Sequence, residues 1–213
     1  MNKQFFAVIV VIILAFVGVI ALTGKKDNNG GSGNSQAAQA SNHVVGKTDS
    51  KVSLVEYGDF QCPACKSYYP LVKQIKETYG DRISFQFRNY PLTQIHPNAF
   101  LGSRAAEAAG KQGKFFEMHD LLYENQDSWS SASSPNSILE GYAQQLSLNM
   151  DQFKTDFSSA AVADTINADT RAGQALGANS TPTFVLNGKK IDKNPTNIDD
   201  FNKLIDEALA QNQ

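Results

Sequence analysis

The sequence predicts an α/β fold in which a βαβ unit and a C-terminal ββα unit are separated by a helical insertion, with an N-terminal transmembrane helix ahead of them. Three observations predict it. Along 51–211 the apolar residues alternate, then take helical spacing, then alternate again. A stretch rich in small and polar residues divides that region from the N-terminus. An unbroken apolar run opens the chain.

That run extends from Phe5 to Leu22, after a short flank at 1–4, with Lys3 before it and Lys25 and Lys26 behind. At about 1.5 Å per residue it spans roughly 27 Å, close to the hydrocarbon thickness of a bilayer. It is longer than the usual apolar region of a signal peptide, and Val19-Ile20-Ala21 is a poor cleavage site, so 5–22 reads as an uncleaved signal anchor. The flanking charges nearly balance and do not set its orientation. Residues 23–50 read as a flexible tether: Gly24 to Asn42 is dominated by Gly, Ser, Asn, Gln and Ala and has no apolar period, so it cannot offset its own ordering entropy.

The domain is expected over 51–211. Val52, Leu54 and Val55 lead into Glu56-Tyr57 as a short buried strand. Tyr68, Tyr69, Val72, Ile75 and Tyr79 recur at helical spacing, with Pro70 expected to kink the helix and Gly80 near its end. Ile83, Phe85 and Phe87 alternate with other residues as a second strand that stops before Pro91. The insertion, about 97–177, reads as four helices: Ala99 to Ala109; a face of Phe115, Phe116, His119 and Leu122; a helix capped by Ser134 with Pro135 in its first turn and carrying Ile138, Tyr142 and Leu146; and Val162 to Leu176, closed by Gly177. Thr183 to Leu186, Asn187-Gly188 and Lys189 to Ile191 make a hairpin signature. Phe201, Leu204, Ile205, Ala208 and Leu209 form the apolar face of a last helix, with Asp199 and Asp200 favourably placed in its first turn.

The chain carries 19 basic and 21 acidic residues, interspersed, for a formal net charge of -2. No basic stripe exists, and nucleic acid is not an expected partner. It has only 2 cysteines, Cys62 and Cys65, and they lie three apart where the first strand gives way to the first helix. A sulfur at that position faces unsatisfied backbone N–H groups and the positive end of the helix dipole, which favours the thiolate needed for disulfide exchange. Pro63 suits a first helical turn because it has no N–H to leave unpaired, and Ala64 adds neither charge nor donor. From the residues alone the pair also admits half of a zinc site completed by His43, His96 and His119, a structural disulfide, or two inert thiols.

The passage Glu56-Tyr57-Gly58-Asp59-Phe60-Gln61-Cys62-Pro63-Ala64-Cys65 resembles the active-site region of the DsbA-like thioredoxin family. Lys111 to Asp120, Trp129 and Ser180-Thr181-Pro182-Thr183-Phe184 resemble the same family, so the likeness covers roughly Lys51 to Leu209. It implies a thioredoxin-like fold with a helical insertion. It further implies Cys62 as exposed nucleophile, Cys65 as buried partner in a redox-active disulfide, Glu56 as a buried acid serving Cys65, and Pro182 as a cis-proline against the pair. Thr181 would then offer its backbone to a substrate, with Phe60, Pro63 and Ala64 beside it. Phe60, Tyr57 and Trp129 read either as aromatic lining of a groove for unfolded chains or, as aromatics at such spacing more often are, as core. His96 and His119 read as structural. The chemistry needs neither cofactor nor metal. The implied activity is thiol-disulfide exchange on cysteine-containing exported proteins outside the cytoplasm, most simply as a dithiol oxidase reoxidised by a membrane redox partner. A reductase or isomerase, and a tethered chaperone-like domain with a structural disulfide, are the alternatives. Pro63-Ala64 lacks the histidine found between the cysteines of well-known members, and that leaves the oxidising strength open.

Overall fold

The computed structural model describes residues 38–212. The flank 1–4, the anchor assigned to 5–22 and residues 23–37 of the tether lie outside the described residues. Among those described, no helix is long and apolar enough to cross a membrane.

The elements follow in the order β1 (His43–Gly46), β2 (Ser53–Gly58), α1 (Pro63–Tyr79), β3 (Ser84–Asn89), α2 (Ala99–Gly110), α3 (Phe115–Glu124), α4 (Gln126–Ser130), α5 (Asn136–Gln145), α6 (Met150–Ser158), α7 (Ala160–Ala175), β4 (Thr183–Leu186), β5 (Lys189–Lys190) and α8 (Ile198–Ala210). The strands form one sheet in the order β1-β3-β2-β4-β5. Among paired neighbours only β2 and β3 run parallel, and they are the neighbours joined by a helical crossover, α1; the other pairs are antiparallel. The expected βαβ and ββα units are therefore present, with six helices between them where four were read.

Strand β1 corrects the tether. His43 to Gly46 pairs in register with Phe87 to Ser84, and Ser41 ahead of it is buried. Its signal is only Val44-Val45 in polar surroundings, and its order comes from tertiary contacts: the His43 ring stacks on Phe115 at 3.6 Å between centroids, and its Nε2 lies 2.9 Å from Glu107. Ser41 is tied down through Asp169 of α7, a fully buried carboxylate. It accepts from the Ser41 N–H and hydroxyl at 2.8 and 2.7 Å, from Arg88 at 3.1 Å and from the Asn89 backbone and side chain at 3.0 Å.

Two smaller expectations also shift. Pro70 lies on the exposed side of an uninterrupted α1, and Ser134 makes no capping bond, Pro135 being the residue that precedes α5. The hairpin behaves as read: Asn187 and Gly188 have φ of 50° and 78°, the positive values that a two-residue turn between twisted strands requires. Asp199 and Asp200 stand in the first turn of α8 as read, and Asn197 caps the helix by accepting from the Asp200 N–H at 3.0 Å.

Period-two alternation sets the faces of the sheet. Glu56 pairs with Phe87 on one side and Phe184 on the other, so its side chain shares their face. That face, with Leu54 and Phe85, meets Val72 and Ile75 of α1 and Phe201 and Ile205 of α8 in the main core. Tyr57 and Val185 point to the opposite face, where a smaller cluster includes Tyr90 and Ala178.

Candidate active site: a dithiol at a helix N-terminus

Cys62 is the residue preceding the first turn of α1, in extended backbone with φ -70° and ψ 123°, and Pro63 occupies the first helical position. Cys62, expected as the exposed member of the pair, is itself largely buried at 7 % exposed, whereas Cys65, one turn on, is 0 % exposed; neither is bridged. The Cys62 thiol is held down from its ordinary 9.0 to about 5. The largest cause is a hydrogen bond from the Cys65 thiol. Burial opposes it, and Thr181 and the backbone N–H groups of Cys65 and Ala64 add to it. The Thr181 hydroxyl is buried and has no hydrogen-bond partner at ordinary distance among the described residues.

The Cys65 thiol is pushed well above 9.0, first by burial, then by the bond it gives to Cys62 and by the nearby Glu56 carboxyl. One sulfur thus ionises easily and its neighbour resists. Glu56 is 2 % exposed, and burial lifts its carboxyl from 4.5 to about 8, against the attraction of Lys76.

The Thr181-Pro182 bond is cis, and the Cys62 Sγ lies 3.5 Å from the Thr181 carbonyl oxygen. Asn194, in the loop before α8, donates to the Pro182 carbonyl at 2.7 Å and so fixes this loop from behind. Pro63 and Ala64 are exposed beside Cys62, while Thr181 is 8 % exposed.

The aromatic lining is the site expectation that the structure overturns. Phe60 and Trp129 are 0 % exposed and Tyr57 is 3 % exposed. Phe60 stacks on Phe87 at 4.9 Å and packs edge-on to His119 at 5.7 Å, so it is core beneath the dithiol and has no free face for a substrate. Trp129 donates its indole N–H to the Leu122 carbonyl at 2.8 Å inside the insertion. His119 is fully buried with its Nδ1 2.8 Å from Asp120, and His96 Nδ1 lies 2.7 Å from Asp59; both are structural, as read. The three histidines do not gather around the cysteines, and no group of three or more metal-ligating side chains occurs among the described residues.

Four residues that the sequence did not single out complete the site. Asp59 is fully buried and ties the turn before Cys62 together: its carboxylate accepts from the Gln61 N–H at 2.8 Å, the Leu92 N–H at 2.9 Å and His96, while its own N–H points at the Cys65 sulfur at 3.5 Å. Gln126 of α4 donates to the carbonyls of Phe60 at 2.8 Å and Cys62 at 3.0 Å. Tyr123 of α3 is buried, with its hydroxyl 3.5 Å from the Asp59 carbonyl. Asn194 is the fourth. Asp59 stands inside the passage that carries the family resemblance, but nothing local marks Gln126, Tyr123 or Asn194, which reach the dithiol only through the tertiary fold.

A strand, a cysteine pair, a helix and a cis-proline loop facing the pair define a dithiol protein of thioredoxin architecture. A family model described as thioredoxin matches residues 38–207, which includes β1. The chain is 30 % identical over 215 residues to the Bacillus cereus protein named "Probable disulfide bond formation protein D", covering 97 % of this chain and 94 % of that one. Crystalline oxidised BdbD from Bacillus subtilis superposes with a TM-score of 0.70 at 26 % identity, over 82 % of this chain and 97 % of that one. The α-DsbA2 of Wolbachia pipientis, at 20 % identity and a TM-score of 0.67 over 78 % and 86 % of the two chains, shares the fold. The chain belongs to the thioredoxin family, in its DsbA-like branch. A Na(+)/H(+) antiporter NhaA 3 from Salinispora tropica is 36 % identical over 168 residues, 79 % of this chain but 25 % of the antiporter, so the chain spans about a quarter of the length of such relatives.

Proposed function

We propose that the protein is a thiol-disulfide oxidoreductase that works as a dithiol oxidase on exported, cysteine-containing proteins, held at the outer face of a membrane by the apolar run 5–22. The observation that carries this reading is the contrast between the two sulfurs. A thiol held near 5 leaves readily and makes the reduced protein the stable form, which is the condition for passing a disulfide on. A reductase keeps the same order of the two sulfurs but stabilises its nucleophilic thiolate less. A purely structural disulfide would have no use for a stabilised thiolate.

In the oxidised protein a client thiolate attacks Cys62 Sγ, the Cys62–Cys65 bond breaks, and Cys65 takes the electron pair. Glu56, with its carboxyl raised to about 8, is protonated at neutral pH and supplies the proton that the buried Cys65 sulfur requires. A second client thiolate then attacks the client sulfur of the mixed disulfide and expels Cys62 as its stabilised thiolate. The client gains one disulfide and the protein leaves as a dithiol, to be reoxidised by a membrane redox partner. Thr181 and Pro182, with Pro63 and Ala64 exposed opposite, form the surface on which the client backbone lies.

Cys62→Ser should abolish oxidative refolding of a reduced client, and Cys65→Ala should accumulate mixed disulfides that identify clients and recycling partner together. Undiminished refolding by the Cys62→Ser protein would overturn the assignment.

A further inference from the structure

The helical insertion reaches the dithiol at one polar point. Gln126, the first residue of α4, is 3 % exposed, and its side-chain Nε2 donates to two backbone carbonyls, Phe60 at 2.8 Å and Cys62 at 3.0 Å. An amide nitrogen has two hydrogens, so both donors are committed. The Cys62 carbonyl also accepts the first helical bond, from the Lys66 N–H at 3.1 Å, and is directed along α1 away from the helix start. Around the same turn, Gln61 donates to the Ser130 carbonyl at 2.9 Å and accepts from the Asn98 N–H at 2.7 Å, so the turn is held from the insertion on both sides.

We propose that Gln126 is a positioning residue for disulfide exchange: by holding the carbonyls of Phe60 and Cys62 it keeps these two oxygens turned away from the nucleophilic sulfur, which already has the Thr181 carbonyl 3.5 Å away, and leaves the N–H groups of the helix start facing it. The physical reason is electrostatic. Carbonyl oxygens carry the negative end of the peptide dipole, and one turned toward a thiolate opposes the stabilisation that the helix N-terminus supplies. A side chain that satisfies two such oxygens removes their incentive to rotate. The insertion thereby sets the reactivity of a cysteine that lies outside it.

The inference rests on Cys62 being the nucleophile, and its test is read on the thiol itself. In the reduced full chain, the Cys62 midpoint is followed by thiolate absorbance and by the pH dependence of alkylation. Gln126→Leu should raise it by about one unit, with a correspondingly slower alkylation, about tenfold, at pH values below the midpoint. The other titratable groups around the sulfur, Cys65 on α1, Glu56 on β2, Asp59 with His96 in the neighbouring loops and Tyr123 on α3, are unchanged by the substitution. Phe153→Leu, a core change on α6, serves as the control: it should lower stability while leaving the midpoint in place. In the unaltered protein the two Gln126 side-chain amide protons should exchange slowly with solvent and their nitrogen signal should titrate with Cys62, a measurement that needs no variant. An unshifted midpoint in a folded Gln126→Leu protein, or fast-exchanging amide protons that do not titrate, overturns the role of Gln126. An ordinary midpoint in the unaltered protein would instead remove the premise about Cys62.

Discussion

Glu56 shows how a residue's chemistry depends on the face of the strand it occupies. One position along, at Tyr57, the side chain meets the smaller cluster on the other side of the sheet; at Glu56 it lies under α1 among Phe87 and Phe184. Burial raises its carboxyl to about 8, so at neutral pH it retains the proton that the proposed exchange step assigns to Cys65. Glu56→Gln keeps the volume and removes the proton. The attack of a model thiol on the oxidised protein should slow by about a hundredfold, the lower end for a positioned proton donor. After correction for the attacking thiol's own ionisation, the parent's rate should fall above about pH 8 and the variant's should not. A stopped-flow pH profile with the same break in both proteins would remove Glu56 from the proton path. One charged residue in a strand does not reveal by itself which face it takes; the family resemblance is what points to burial here.

Legibility at the scale of elements follows the same rule. Helix α1 and the β4-β5 hairpin were readable because their signals are local: apolar residues at helical spacing, a proline in the first turn, and Asn-Gly between two short strands. Strand β1 was not, since its order resides in partners far along the chain, and the short helices α4 and α6 each bury too few side chains to make a period. The residue that most firmly joins such distant parts is Asp169. From α7 it binds Ser41 ahead of β1 and Arg88 and Asn89 at the end of β3, all with one carboxylate. Asp169→Ala would leave the buried Asn89 and Ser41 donors unpaired and strip Arg88 of its partner, and should cost about 3–5 kcal/mol. Urea denaturation measures that loss, and protease cleavage near residues 38–46 should accelerate with it. A loss below about 1 kcal/mol would mean that water replaces the carboxylate at little cost.

At the scale of the whole molecule the site residues act on stability in opposite directions. The Cys62 thiol is lowered on folding from 9.0 to about 5, so its contribution to the reduced protein is fully present above about 9 and is lost as pH falls through 5. Glu56 is raised from 4.5 to about 8, so its contribution is fully present below 4.5 and is lost as pH rises through 8, at about 1.4 kcal/mol per unit of pH between the two. In the reduced protein the two slopes oppose each other between pH 5 and 8. In the oxidised protein no thiol titrates in either the folded or the unfolded state, while burial, the main cause of the Glu56 shift, persists. The oxidised form should therefore lose stability steadily from about pH 5 to 8 while the reduced form changes little, and the gap in favour of the reduced form should widen as pH rises. Cys65, raised well above 9.0, reverses part of this only in more alkaline solution. Denaturation midpoints of both redox forms at pH 5, 7 and 8 test the argument directly. Parallel curves for the two forms would show that Cys62 is not stabilised as a thiolate, and the proposed oxidation of a client would then have no driving force in the fold.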